Sequence, residues 1–342
     1  MNILKKIWNL LRMHVDSLKL LAYILTTSKT ERRARSRSEY IWTISLAASC
    51  GACPITYPLP YPTPTHFIAK ILTFSYLFRF LSYRDINRKL KKNNSIFVKT
   101  DELGYFRDKI LPKIGAPFVL VTAASDWSTK GFADIADNKY LLHWFSQHNN
   151  VKHKKISVLP AGIDFGTLIF REYFGEKKMS AAKQESRLKK VAGSTPEKQF
   201  EVFANFHLNY TSPRRKQLHE LMRDESFMHF QKTKMPRTKM WELQKKFVFN
   251  FSPAGNGLDA YRTWESLLLG QIPIVERMHT DIDDLHKEYP VVIIDDVSEI
   301  NEKNLRKWHK KYSKMFGKDL EKKLTNDYWV GLIREAQGQF LL

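Results

Sequence analysis

Apolar residues recur at every third or fourth position from the start of the chain. Leu4, Ile7, Leu11, Leu18, Leu21 and Leu25 share one stripe, and Lys5, Lys6, Arg12 and Lys19 lie off it. The spacing predicts an amphipathic helix fit for a membrane interface, a protein core or another subunit. The basic run Lys29–Ser38 then reads as a solvated linker, and five prolines between Pro54 and Thr65 predict extended chain. No secretory leader or clean membrane span is expected. Prolines interrupt the uncharged stretch Ile41–Tyr61, and Lys70 falls inside the apolar run that follows.

From about Ser95 the pattern changes to strands alternating with helices. "SIFVKT", "PFVLVTAAS" and "KKISVLPAG" read as strands, "LGYFRDKILPKIG" as a helix and "KYLLHWFSQHN" as an aromatic-rich helix. The polar stretch Gly175–Lys198 reads as a connection between domains. The rhythm then restarts with strands "FEVFANFH", "FMHFQ", "FVFNFSP", "IPIVE" and "PVVIID", and the tail from Asn301 is helical. The expected fold is α/β: two Rossmann-like domains with parallel sheets facing a cleft. Residues 1–90 form a basic extension, 91–195 the first domain and 196–342 the second.

Charge sharpens this picture. The chain carries +21, and its first 100 residues hold 17 Lys/Arg against 4 Asp/Glu, so 17 − 4 = +13 sits there. Such an extension implies an anionic neighbour, with an anionic membrane surface met through residues 1–40 as one candidate. The two cysteines, Cys50 and Cys53, lack a second pair for zinc and lie in Pro-rich sequence, so they read as small thiols. Of two glycosylation sequons, Asn250 falls in a core strand and Asn209 stays undecided. A cytoplasmic or peripheral-membrane location follows, with secretory passage left open.

The stretch "SPAGNGLDAYRTWESLLLGQIPIV", Ser252–Val275, carries the chemistry. It leaves a strand, passes Gly255, Asn256 and Gly257, and opens an apolar helix that stops at Gly270. The glycines allow positive φ and close approach of a ligand, Asp259 can cap the helix, and the free N–H groups at its start favour phosphate. Arg262 and Glu265 project from neighbouring faces. They can serve a ligand, with Glu265 accepting from a vicinal diol, or pair with each other. Neither phosphate-loop fingerprint is present.

This stretch resembles the signature of exostosin-like glycosyltransferases, S-P-x-G-N-G followed by [HY]-R-T-W-E-A and G-x-I-P-I-V, with Ser266 and Gln271 as departures. Weaker likeness extends to "FVLVTAASDWST", "HKKISVLPAGID" and "LTNDYWVGLI", so it covers about residues 95–335. The resemblance implies an inverting GT-B enzyme that takes a nucleotide-sugar, a UDP-sugar first among them, and a glycan or glycoprotein acceptor. It implies Glu265 on the ribose, with Arg262 and the backbone Gly255–Gly257 on the diphosphate. Arg214 and Arg215 would add phosphate charge. No cofactor or metal is expected.

Inversion needs one base to deprotonate the acceptor hydroxyl. Asp126, at a strand end in the first domain, is the first choice, and Asp164 and His143 are its rivals. Asp281-Ile282-Asp283 has metal-binding D-x-D spacing, but reads as the acidic start of a helix. A nucleic-acid-binding module would explain the charge, though not the Gly255–Glu265 construction, and no nucleic-acid motif stands out. A catalytically silent exostosin-like scaffold is the third reading.

Overall fold

The computed structural model describes residues 3–59, 74–208, 213–231 and 233–338. The Pro-rich run beyond Leu59, the start of the apolar run at His66 and the Asn209 sequon lie outside the described residues. Two all-parallel sheets organise the chain. The first has the order β1 (Ser95–Lys99), β2 (Phe118–Ala123), β3 (Leu141–Gln147), β4 (Ile156–Leu159). In the second, β5 (Gln199–Ala204) lies between β6 (Met228–Phe230) and β7 (Phe247–Phe251). β8 (Ile272–Glu276) and β9 (Val292–Ile294) follow on the far side of β7.

Alternation along the strands assigns each face of the first sheet. Phe118 and Leu120 face a core with Leu103, Phe106 and Ile110, whereas Val119, Val121 and Ala123 face Leu46, Ile333 and Ala336. A strand buried on both faces reads as a continuous apolar run, and β2 is one. β3 differs from expectation: the aromatic run around His143 is a strand, paired in parallel with β2 and β4. A short apolar run has no periodicity that separates helix from strand, so neighbours decide.

The N-terminal segment also departs from a simple extension. α1 spans Ile3–Thr26, and the basic run is no linker but helix α2, Lys29–Arg35, capped by Ser28. Arg32 of α2 is buried and donates to the carbonyls of Ile24 and Thr27, closing the α1 end. α3, Thr43–Ser49, packs into the main core through Ile44, Leu46 and Ala47, together with Ile41 and Trp42. Ala52 bridges Ile96 in parallel, and Trp42 bridges Gly162. Residues 40–57 therefore belong to the body of the first domain. The Pro-rich run turns at Ile55–Pro58 instead of extending. After it comes α4, Ser75–Tyr83.

The linking stretch contains a twelve-residue helix, Ala181–Ala192, capped by Ser180. Its Glu185 accepts the N–H groups of Glu39 and Tyr40 at 2.8 and 2.9 Å, which ties the connection to the N-terminal segment. The last helix, Asn326–Gly338, returns to the first domain and covers β2 and β3. Both sheets thus aim their carboxyl ends at one cleft. In the second sheet the strand order reverses between β5 and β7, which is where such sheets bind ligands.

Trp42 is buried in the core, whereas Leu11 on α1 is 55% exposed. Trp42→Ala should cost about 3–5 kcal/mol in urea unfolding, and Leu11→Ala within about 0.5 kcal/mol of zero. Equal costs would mean that residues 40–57 do not pack as part of the domain.

Candidate functional site in the interdomain cleft

The cleft encloses about 620 Å³. Its floor is built from strand ends. Asp126 and Gln147-His148 follow β2 and close β3, and Asp164 follows β4; Asn205 to His207 follow β5, and Gly255 to Gly257 follow β7. This is where parallel strands leave a crevice with free backbone donors.

Charge in the cleft is divided into a neutralised pole and an unneutralised one. Arg237, the first residue of the helix Arg237–Gln244, donates to Asp164 Oδ2 at 3.1 Å and to Glu265 Oε1 at 2.5 Å. Burial opposes charge on Arg237, but Glu265 and Asp164 outweigh it and raise the pKa. For Asp164, burial also opposes ionisation. Arg237 and the hydrogen bonds from Thr167 outweigh burial and hold the carboxyl below its usual range. Asp164 is thus occupied by a guanidinium and a helix start, which makes it a poor proton acceptor.

The opposite pole holds Arg262 and Arg215. Arg262 Nε donates to Asn205 Oδ1, and Arg215 donates to the carbonyls of Ala254 and Pro253 at 2.9 and 3.1 Å. Neither has a carboxylate partner among the described salt bridges. Desolvation, with Arg215 beside it, lowers the Arg262 pKa to about 10. Burial lowers His207 as well, and Arg262, Lys234 and Arg215 push it further down. A bound anion would relieve both desolvation and repulsion here.

Arg262 and Glu265 therefore do not pair with each other. Asp259 does not cap the helix Tyr261–Leu268, whose N-cap is Ala260. Its buried carboxylate instead accepts the N–H of Ala161 in the first domain, Trp264 Nε1 and the N–H of Ala260. His286 lies 3.3 Å from it. The glycines also serve differently from expectation, because neither Gly255 nor Gly257 has positive φ. A Cβ on Gly257 would lie 2.5 Å from His148 Nε2, and one on Gly255 would lie 3.0 Å from Arg215 Nη2. The buried His148 ring leaves no room for a Cβ at Gly257, whereas at Gly255 the tip of Arg215 would have to shift. Gly270 does have positive φ and ends the helix as expected.

Asp126 is exposed at the cleft rim, where Asn256 Nδ2 donates to its Oδ2 at 3.3 Å from the other domain. His143 is not brought to the cleft. It lies on β3, hydrogen-bonded with Ser157 at 2.8 Å, and lines a separate hollow near Tyr328 and Trp329. Arg214 is also outside, paired with Glu276 at 2.7 Å. Asp281 accepts from Asn149, and Asp283 accepts the N–H groups of Met278 and His279, so the two D-x-D carboxylates hold different loops.

Two residues of the site escaped sequence reasoning. Arg237 stands in the first turn of a helix, where the dipole disfavours a cation, and that is a legible sign of a missing carboxylate. His148 ends β3 with φ 53° and is 2% exposed. Its Nδ1 accepts the N–H of Asp259 at 3.2 Å, which places the neutral ring's proton on Nε2. Burial lowers its pKa, against the pull of Asp259 and Asp126. A ring with Nε2 protonated toward Gly257 is a wall and donor rather than a base.

Two Rossmann-like domains with their sheets opening on a shared cleft constitute the GT-B architecture. No family model matches the chain, and no curated protein matches it. Among solved structures it is similar to the UDP-GlcNAc 2-epimerase of Methanocaldococcus jannaschii, with 11% identity and TM-score 0.36, covering 82% of this chain and 86% of that one. The same organism's UDP-GlcNAc 2-epimerase in complex with UDP-GlcNAc and UDP aligns at 11% identity and TM-score 0.33, over 78% and 83% of the two chains. Another UDP-N-acetylglucosamine 2-epimerase aligns at 13% and 0.30, over 82% and 79%.

Gly257→Ala should destabilise the chain by about 1–3 kcal/mol through the clash with His148. In the His148→Ala background the same change should cost less than half as much, read by a double-mutant cycle in urea. Additive costs would contradict the contact.

Proposed function

We propose that the chain is an inverting, metal-independent glycosyltransferase of exostosin-like type. It moves a sugar from a nucleotide-sugar, a UDP-sugar first among them, to a glycan or glycoprotein acceptor. The single observation that carries this reading is the pair Arg262 and Arg215, half-buried and without an ion-paired carboxylate among the described salt bridges, at the switch point of the second sheet. A diphosphate is a dianionic group of the right reach for two adjacent guanidiniums. Glu265, placed one helical turn from Arg262, is the candidate for the ribose hydroxyls. Arg237 takes its Oε1, and among the described residues no protein donor takes Oε2.

Transfer requires the acceptor oxygen to attack the anomeric carbon as the bond to the diphosphate breaks. The acceptor proton goes to a carboxylate, and the leaving negative charge goes to the arginines. Asp126 is the base in this reading, because it is exposed at the rim and faces Asn256 across the cleft. Asp164 is neutralised by Arg237, and His143 lies elsewhere. A silent scaffold would keep the arginines but would not need Asp126.

Asp126→Asn should bind nucleoside diphosphate within about twofold of the parent while transfer falls by about 10²–10⁴-fold. The comparison requires a nucleotide-sugar panel with product detected by mass spectrometry. Unchanged transfer in Asp126→Asn would remove it as the base. Transfer by neither protein, with binding intact, would favour the scaffold.

A further inference from the structure

Large apolar side chains left in solvent are concentrated at one end of this molecule. Trp8 is 68% exposed, Leu11 55%, Leu18 45% and Leu25 77%, all on α1, and Leu77 and Phe80 of the adjoining α4 are exposed too. Among the described residues α1 meets the body through Leu20 and Ile24 against Phe74 and Phe78, whereas Ile7, Leu11, Leu18 and Leu25 of the predicted stripe are turned outward. The amphipathic pattern therefore does not serve packing against this chain's own core.

Beside these helices lies a second feature, with different chemistry. A hollow of about 220 Å³ opens between α2 and the end of α4, lined by Lys29, Arg32, Arg33, Arg84, Arg88 and Lys89. Asp85 is the one carboxylate among its described lining residues, and Arg88 and Arg84 both lie against it. Arg33 donates to the Cys50 carbonyl at 2.7 Å, but its buried Nε has no acceptor among the described residues. Burial and neighbouring cations, Arg33 for Lys29 and Lys29 for Lys89, lower the pKa of both lysines. Arg84 and Arg88 lie against Asp85, Arg32 donates to backbone carbonyls and Lys89 to the Ser82 carbonyl, so six cations with one carboxylate leave the hollow positively charged.

We propose that α1 and α4 lie on an anionic phospholipid surface, their exposed apolar side chains entering the interface and the α2–α4 hollow receiving lipid phosphate. Charge complementarity selects this occupant over a second copy of the chain, whose same patch would bring +6 from residues 1–40 (9 Lys/Arg less 3 Asp/Glu) against itself. The apolar face supplies burial, and the cations supply preference for anionic lipid. The length fits a helix lying in the plane: α1 has 24 residues, yet no described helix is long and apolar enough to cross. The inference is independent of the nucleotide-sugar reading.

The test is co-sedimentation of the full chain with vesicles of phosphatidylcholine alone and of phosphatidylcholine with phosphatidylglycerol in equal parts. The expected result is binding that requires phosphatidylglycerol. It should weaken about tenfold in Lys29→Glu/Arg88→Glu and be lost in Leu11→Asp/Val15→Asp. The apolar variants change exposed positions, and circular dichroism checks that they stay folded; Leu25→Asp serves as a second variant if the pair does not. Equal binding to neutral vesicles, or binding kept in both apolar variants, would overturn the proposal. So would a dimer of the parent chain that Leu11→Asp/Val15→Asp dissociates without any vesicle binding, since the face would then join two copies.

Discussion

One guanidinium between two carboxylates holds the cleft together. Arg237 of the second domain reaches Asp164 of the first and Glu265 of its own. A buried ion triad of this kind costs desolvation, and removing any member leaves an uncompensated charge, typically worth 3–5 kcal/mol. It therefore specifies a geometry more than it stabilises the fold. The bond from Ala161 to Asp259 works in parallel, since one buried carboxylate ties the first domain to Trp264 inside the second.

This constraint shapes the remaining chemistry. With Arg237 neutralised, Asp164 and one oxygen of Glu265 are occupied, and Arg262 and Arg215 form no ion pair among the described residues. The division follows from the fold: Asp164 lies in the loop after β4 of the first sheet, whereas the two arginines sit where the second sheet reverses its order. An anion that enters meets two fixed cations and little competing carboxylate. In the proposed transfer, preorganised charge of this kind would meet the leaving diphosphate without reorganisation.

Much of this was legible in the sequence. The strand–loop–helix around Gly255–Glu265, both parallel sheets and the helical stop at Gly270 follow from local pattern. What was not legible depends on contacts distant along the chain. The run at His143 became a strand because β2 and β4 flank it. Gly255 and Gly257 looked like positions of unusual backbone, yet they are small because Arg215 and His148 press on them. The pairing of Glu265 with Arg237, 28 residues away, replaced the local pairing with Arg262. The apolar stripe of α1 showed in the sequence, but only the fold shows that it faces outward.

If Arg262 and Arg215 form a diphosphate site, thermal unfolding in EDTA with UDP, GDP, CMP and a short single-stranded RNA reads it. Ligand at roughly 100 times its dissociation constant adds about 2.7 kcal/mol, which is a rise of a few degrees for a chain of this size. A nucleoside diphosphate should give that rise, and Arg262→Ala should lose it. No rise with any nucleotide, or a rise that Arg262→Ala leaves intact, would contradict such a site.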